Sequence, residues 1–313
     1  MKKTHQLLLA TFLGASALTS SAFAGGEGWT ADFEAAKKLA AEEKKDLLVD
    51  FTGSDWCGWC IKLNKEVFSH EPFKKGVADK FILVEIDFPR DKSKLSEETQ
   101  KQNAELQAKY GVRGFPTILL MDSSGVPFAK TGYQAGGPEA YVAHLDELRT
   151  KRTVRDEAFA EAEKLEGAAK ADALVTALSA IDDEVVATHY KEKLEEIAKL
   201  SPDNEYSAKM NRMAATKALQ QDVMASMRAG DTEAISTKVD GFIEKHSLEG
   251  LEKQKILGMK MDPYLRTGKF DEAEAVLEEI IKADPESPEG KRAEGFKPRL
   301  KQMREQAAKK ATP

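Results

Sequence analysis

The sequence predicts an α/β domain followed by an all-helical domain. In the first half, apolar runs typical of strands at 47–51, 81–86 and 117–121 alternate with helix-like segments. After residue 149 the strand-like runs end, and Ala, Glu, Lys and Leu dominate, which is typical of helices. We divide the chain into a signal peptide at 1–24, an α/β domain at 25–149, a helical domain at 150–306 and a disordered tail at 307–313.

The N-terminal segment has the three parts of a secretory signal. A basic head, Lys2-Lys3, precedes an apolar stretch from Leu7 to Leu18. Ala22-Phe23-Ala24 then forms a small-x-small cleavage site. The apolar stretch is too short to span a membrane, and no later stretch is long and apolar enough. We therefore expect a periplasmic or secreted protein without a membrane span.

The net charge of the chain is −6. Nucleic acids and anionic membrane surfaces attract basic proteins, so this acidity argues against both as partners.

The first elements of the α/β domain follow from local patterns. Thr30 can cap a helix that runs through Ala41. The strand 47–51 is apolar throughout except for Asp50, which predicts burial on both faces of the strand. Because burial disfavours a carboxylate, we expect the pKa of Asp50 to be raised.

The remaining elements of this domain alternate in the same way. The strand 81–86 precedes a helix from Leu95 to Tyr110, and the charged run between them is typical of a solvated helix start. Gly111 is the expected C-cap of that helix. After the strand 117–121, the chain turns into an edge strand that holds Pro127, and Pro138 starts a closing helix.

The only two cysteines, Cys57 and Cys60, follow the first strand. If Cys57 begins a helix, unpaired N–H groups and the helix dipole lower the pKa of its thiol. Cys60 then lies one turn behind on the same face, where it can attack a mixed disulfide on Cys57. This pattern predicts thiol–disulfide exchange, with Cys57 attacking, Cys60 resolving, and no cofactor beyond the redox-active Cys57–Cys60 disulfide.

Two other roles for the cysteines are less favoured. A structural zinc ion needs four ligands, and the histidines at 70, 144, 189 and 246 show no ligand spacing, so no metal is expected. A purely structural disulfide would close a very short loop, and such loops remove little entropy from the unfolded chain.

Two separated motifs resemble the thioredoxin family. Val49-Asp50-Phe51 leading to Trp56-Cys57-Gly58-Trp59-Cys60 is similar to that family's strand, buried acid and active-site helix. Tyr110-Gly111-Val112-Arg113-Gly114-Phe115-Pro116-Thr117 is similar to its cis-proline loop, and a later Gly132 also fits. The resemblance implies a thioredoxin-like fold over about 120 residues. It also implies that Asp50 acts as an acid–base group and that a substrate strand lies along the Pro116 loop.

The chain departs from thioredoxin at several positions. The spacer 52–55 is one residue longer, the central dipeptide is Gly58-Trp59, and the connection 88–102 is lengthened. Leu83 falls where thioredoxin has a lysine near its buried acid. The longer spacer leaves an alternative for Asp50, namely a structural group that is turned away from the cysteines.

Aromatic residues surround the cysteines. We expect Trp56 to pack in the core beneath the loop. Trp59 is expected to be exposed beside Phe115, as an apolar patch for extended or unfolded protein substrates. The predicted substrate-binding set consists of Trp59, Phe115, Pro116 and Gly132.

The helical region has regularly spaced breaks. The segment from Tyr264 to Pro285 resembles one tetratricopeptide repeat. A plain helical bundle is an equal alternative, because stacked repeats need about three units to form a core. Either arrangement provides a possible surface for a protein partner.

Together these observations predict an exported thiol–disulfide oxidoreductase that acts on protein disulfides with an unidentified electron donor or acceptor. A reductase or isomerase is favoured over an oxidase, because no histidine is placed to stabilise the thiolate strongly. The alternative is a non-catalytic scaffold or redox sensor whose helical half binds a protein partner.

Overall fold

The computed structural model describes residues 28–311, so the signal peptide predicted at 1–24 lies outside the described residues. The chain divides into two compact units, the first ending at Arg152 and the second beginning at Thr153. The first unit contains the only sheet of the described residues, and the second contains helices alone, which confirms the predicted fold class. No helix between residues 28 and 311 combines the length and the apolarity that a membrane crossing requires.

The sheet of the first unit has five strands in the order β1-β3-β2-β4-β5. Strands β1 and β2 run parallel to β3, whereas β4 is antiparallel to β2 and to β5. The strands are β1 (Trp29–Thr30), β2 (Asp46–Thr52), β3 (Phe81–Asp87), β4 (Thr117–Met121) and β5 (Pro127–Thr131).

Helices cover both faces of this sheet. They are α1 (Phe33–Glu43), α2 (Gly58–Leu63), α3 (Glu71–Ala78), α4 (Glu97–Lys109) and α5 (Gly137–Ala162). A π-helical turn follows α2 at Asn64–Phe68, and a 3₁₀ turn lies at Lys92–Lys94. Because side chains alternate along a strand, Leu48 of β2 packs on the face of α2, α3 and α5, whereas Val49 packs on the face of α1 and α4.

The structure corrects the predicted start of the domain. Thr30 belongs to β1, and Asp32 caps α1 by accepting a hydrogen bond from the Ala35 N–H at 2.9 Å. Strand β1 exists because Trp29 pairs with Leu83 of β3, a distant partner that no local pattern reveals. Helix α4 also begins later than predicted, at Glu97, because Ser96 caps it through the Thr99 N–H. Gly111 has a φ of 62°, which agrees with its predicted role after the helix.

Asp46 is fully buried at the first position of β2. Its carboxylate accepts a hydrogen bond from Arg149 Nε at 2.8 Å and another from Arg152. A buried carboxylate needs such cationic partners, so helix α5 must continue past residue 149 to complete the first unit. The boundary predicted after residue 149 accordingly falls inside α5.

Nine helices of the described chain begin after Thr153. They are α6 (Gly167–Ser179), α7 (Asp183–His189), α8 (Lys191–Leu200), α9 (Glu205–Arg228), α10 (Thr232–Lys245), α11 (Gly250–Leu257), α12 (Met261–Arg266), α13 (Phe270–Ala283) and α14 (Pro288–Ala311). Helix α14 includes residues 307–311, where the sequence predicts a disordered tail. The exposed Ala- and Lys-rich residues 307–309 have high intrinsic helix propensity and extend the helix. Residues 312 and 313 of the predicted tail lie outside the described residues.

The helices of the second unit bury their own apolar clusters. Tyr264, Ala273, Leu277 and Ile280, all within the predicted repeat-like segment, share one of these clusters. This packing is compatible with both a tetratricopeptide-like pair and a plain bundle, so the repeat interpretation stays a prediction.

Candidate active site

The cysteines lie where β2 leads into α2, and they are joined by a disulfide bond. Cys57 is the N-cap of α2, and its own N–H donates to the Gly53 carbonyl at 2.9 Å. The Cys60 N–H points at Cys57 Sγ over 3.2 Å. When the disulfide is open, this backbone donor and the helix N-terminus favour a thiolate on Cys57. The predicted placement of Cys57 at a helix start is confirmed.

The loop before β4 has the backbone that the resemblance implies. The Phe115–Pro116 peptide bond is cis. A Cβ atom at Gly132 would lie 3.3 Å from the Pro116 carbonyl oxygen, so the glycine permits a close approach of two backbones. Gly114 is exposed, and its carbonyl accepts a hydrogen bond from the Thr117 hydroxyl at 2.8 Å.

Asp50 is buried, with 6% of its surface exposed. It lines a cavity of about 20 Å³ together with Cys60 of α2 and Glu85 of β3. Its Oδ1 atom has no hydrogen-bond partner among the described residues. Burial, followed by the charges of Glu85 and Asp87, raises the pKa of Asp50 well above its ordinary value. The predicted burial of Asp50 is confirmed, and the direction of its pKa shift agrees with the prediction. Its place in one cavity with Cys60 supports a position behind the cysteines over the alternative of a structural group turned away from them.

Glu85 is a site residue that the sequence analysis missed. The register of the parallel strands places Glu85 beside Asp50, whereas Leu83 lies beside Leu48. Leu83 is therefore not the strand partner of Asp50, a point that alignment by motif leaves open because it does not specify the register of β3. A signal was present, since Glu85 is the one charged residue of the apolar run 81–86, the same argument that identified Asp50.

The two tryptophans occupy different environments. Trp56 is 40% exposed, contrary to the predicted core position, and its indole N–H donates to the Phe88 carbonyl at 2.7 Å. The Trp56 and Phe115 rings pack edge to face, with their centroids 5.8 Å apart. Trp59 is 57% exposed, as predicted, but its ring neighbour is Tyr133 at 5.2 Å. The interatomic contacts of these rings depend on loops far apart in the sequence, so local patterns do not reveal them.

The segment after β3 anchors the loop that precedes Cys57. Asp87 accepts from both the N–H and the hydroxyl of Ser54, at 2.9 and 2.6 Å. Asp55 accepts from the Arg90 N–H at 2.9 Å and from Lys94 Nζ at 3.0 Å. The Arg90 N–H, followed by Lys94, lowers the pKa of Asp55. The charged run that the sequence analysis interprets as a solvated helix start thus holds the longer spacer in place.

Between residues 28 and 311, no group of three or more His, Cys, Asp or Glu side chains is placed to hold a metal ion. The chemistry available at this site is that of a dithiol and of the carboxyl groups behind it.

The chain is similar to known proteins over its first unit. Residues 33–149 match the family described as thioredoxin-like domain. A disulfide bond reductase, DsbH of Chlamydia pneumoniae, is 38% identical over 104 residues, which make up 33% of this chain and 62% of the relative. The thioredoxin-related protein DsbJ of the same organism is 34% identical over 93 residues, or 30% of this chain and 26% of DsbJ. The chain thus spans less than two thirds of either relative.

One solved structure with this similarity is a DsbH oxidoreductase. It is 35% identical, and the match covers 36% of this chain and 78% of that chain with a TM-score of 0.35. The family match ends at residue 149, so the helices that follow lie outside it.

The raised pKa of Asp50 predicts a pH-dependent cost to stability. An acid whose pKa is higher in the folded state stabilises the fold at pH values below its unfolded pKa of about 3.9. That contribution is lost as the pH rises through the folded pKa. Asp50→Asn should therefore raise the melting temperature of the oxidised protein by several degrees at pH 7, with the difference shrinking towards pH 4.

Thermal denaturation followed by circular dichroism at a series of pH values checks this expectation. Asp79→Asn, which removes an exposed carboxylate, is the matched control and should show no such trend. A destabilised Asp50→Asn protein at pH 7 would contradict the expectation.

Proposed function

Because residues 33–149 of this chain form a thioredoxin-like domain, we propose that the protein is a thiol–disulfide oxidoreductase acting on protein disulfides. The observation that carries the proposal is the position of Cys57 as the N-cap of α2, with the Cys60 N–H directed at its sulfur. This arrangement favours the thiolate form of Cys57, and the thiolate is the form that attacks a disulfide.

The proposed exchange proceeds in two steps. In the first, the Cys57 thiolate attacks a substrate disulfide, so that a Cys57–substrate bond forms and one substrate sulfur leaves as a thiolate. In the second, the Cys60 thiol loses its proton and attacks Cys57 Sγ, which closes the Cys57–Cys60 disulfide and releases the second substrate thiolate. Two electrons pass from the dithiol to the substrate, and no cofactor is required.

Asp50 is the proposed proton acceptor for Cys60, because both groups line one buried cavity. The proposed substrate contacts are Trp59, Phe115, Pro116 and Gly132. The exposure of Gly114, two residues before Pro116, supports them, because an extended substrate strand needs an accessible stretch of backbone beside which to lie.

We also propose that the exchange runs mainly in the direction of reduction or isomerisation. No histidine lies between the cysteines, where one would stabilise the thiolate and make the disulfide strongly oxidising. The relative DsbH is described as a disulfide bond reductase, which is compatible with this direction.

The proposed location is the periplasm or the extracellular space, on the basis of the signal-like segment at 1–24. A protein partner for the helical unit is proposed on the ground that this unit has no cysteine and therefore no dithiol of its own. The electron donor or acceptor is a second thiol–disulfide protein by the same chemistry.

The order of attack predicts different trapping by the two single cysteine variants. Cys60→Ser should accumulate mixed disulfides with protein substrates, because the intermediate on Cys57 has no thiol left to resolve it. Cys57→Ser should trap at least tenfold less, because the helix N-terminus and the Cys60 N–H favour the thiolate on Cys57 and not on Cys60. Non-reducing electrophoresis after acid quenching measures both, and equal trapping would contradict the assignment of roles.

The direction of exchange predicts the reduction potential of the Cys57–Cys60 couple. Equilibration with glutathione should place it at about −180 mV or below, in the range of reductases and isomerases, whereas strong oxidases lie near about −120 mV. A catalytic assay with a disulfide substrate accompanies this measurement. A folded protein without turnover would favour the alternative of a redox sensor or non-catalytic scaffold.

Export predicts cleavage of the precursor between Ala24 and Gly25. N-terminal sequencing of the protein purified from its own host should begin at Gly25. An intact Met1 terminus on cytoplasmic protein would rule out the proposed location.

A further inference from the structure

Two buried carboxyl groups share the space behind Cys60. Asp50 and Glu85 are paired neighbours on the parallel strands β2 and β3, and both are almost fully buried, with 6% and 4% of their surfaces exposed. Both line the cavity of about 20 Å³ that also contains Cys60. Because paired residues on adjacent strands project from the same face of a sheet, the two carboxyl groups are neighbours on the face that packs against α2, the helix that begins at the dithiol.

We infer that Asp50 and Glu85 form a carboxyl pair that holds one shared proton while the Cys57–Cys60 disulfide is closed and exchanges that proton with Cys60 when the disulfide opens. This inference rests on the proposed function and adds Glu85 to it as a partner in the proton transfer. Two adjacent carboxylates in a low-dielectric site repel one another, so a single proton shared between them is the stable arrangement.

The proton balance of the proposed step is simple. When an incoming thiolate opens the disulfide at Cys57, Cys60 leaves as a thiolate and takes the shared proton, leaving both carboxyl groups ionised. In the reverse step, the Cys60 thiol returns its proton to the pair and attacks Cys57 Sγ, while the substrate sulfur leaves as a thiolate. The proximity of Glu85 makes the pair a stronger base than either carboxylate alone, which suits it to accept a proton from a thiol.

Other titratable groups face Asp50 from the elements packed against it. On β3, Asp87 adds negative charge, but its carboxylate is engaged by Ser54. On α5, burial and then Asp50 itself raise the pKa of Tyr141, so its hydroxyl stays protonated. On β4, the partner of Asp50 is Ile118, which does not titrate. Burial, the charge of Glu85 and the charge of Asp87 all raise the pKa of Asp50, which agrees with a retained proton.

Single-turnover kinetics with a symmetric aromatic disulfide separate the two steps, because each step releases one coloured thiolate. The reduced full-length protein is mixed with this probe over a range of pH. Glu85→Gln should leave the first release unchanged and slow the second about tenfold. The rise of the second rate with pH should also move to lower pH, because the remaining carboxyl is a weaker base.

The coupling of the two groups has a further signature. Asp50→Asn and Glu85→Gln should have similar effects on the second release, because each leaves one ordinary carboxyl group as the base, and the double variant, which leaves none, should be slower than either. The exposed Glu98→Gln is the matched control and should behave as the wild type does in both releases. A second release in Glu85→Gln with the wild-type rate and pH profile would overturn the inference.

The proposed function fails in a different way, namely if the wild-type protein releases no second thiolate at all. Should Glu85→Gln not fold, carbon-13 NMR of the side-chain carboxyls in the oxidised wild-type protein decides the question. The pair predicts that both carboxyl signals respond in both of two titration steps. Two independent single-step titrations would overturn the inference.

Discussion

The burial of two ionisable carboxyl groups at the centre of a parallel strand pair is the constraint on which this site depends. Placing such groups in an apolar sheet costs free energy, and a like charge beside each adds to the cost. The surrounding strand offsets it, because Leu48, Val49 and Phe51 are fully buried on the two faces of the sheet. Ionisable groups buried at such a cost are concentrated at functional sites, and here they line the same cavity as Cys60.

Strand β3 and the segment after it serve the dithiol in two ways. Glu85 faces the buried side of the site, beside Asp50. Two residues later, Asp87 binds Ser54, and the Phe88 carbonyl then accepts from Trp56. The loop that carries Cys57 is therefore positioned by the same strand that supplies the second carboxyl group. A longer spacer before the dithiol is compatible with a well-placed N-cap because these anchors hold it.

The helical unit has a separate apolar core, and a cleft of about 360 Å³ lies among its helices. Leu265, Leu277 and Phe296 line this cleft, with Lys255 and Arg292 among the polar residues. Such a lining is typical of a binding surface, and the helical unit has no cysteine that could take part in disulfide exchange. The first unit therefore carries the chemistry in our proposal, and the helices serve recognition.

Local sequence was sufficient for the fold class, the strand 117–121, the dithiol and the cis-proline loop. Each of these depends on residues that are close in the chain. Composition, periodicity and spacing reveal the fold class, the strand and the dithiol, whereas the cis-proline loop was implied by the resemblance to thioredoxin. The burial of Asp50 was also predictable, because a lone acid inside a continuous apolar strand has no solvent-facing side.

Only the tertiary structure decided which groups meet around the dithiol. The pairing of Asp50 with Glu85, the exposure of Trp56 and the anchoring of the spacer depend on strand register and on contacts between distant segments. A shift of register by one residue would turn Glu85 to the opposite face without altering any local pattern. The sequence by itself thus determined that this protein carries a dithiol on a strand–helix junction, and long-range packing alone determined which carboxyl groups stand behind it.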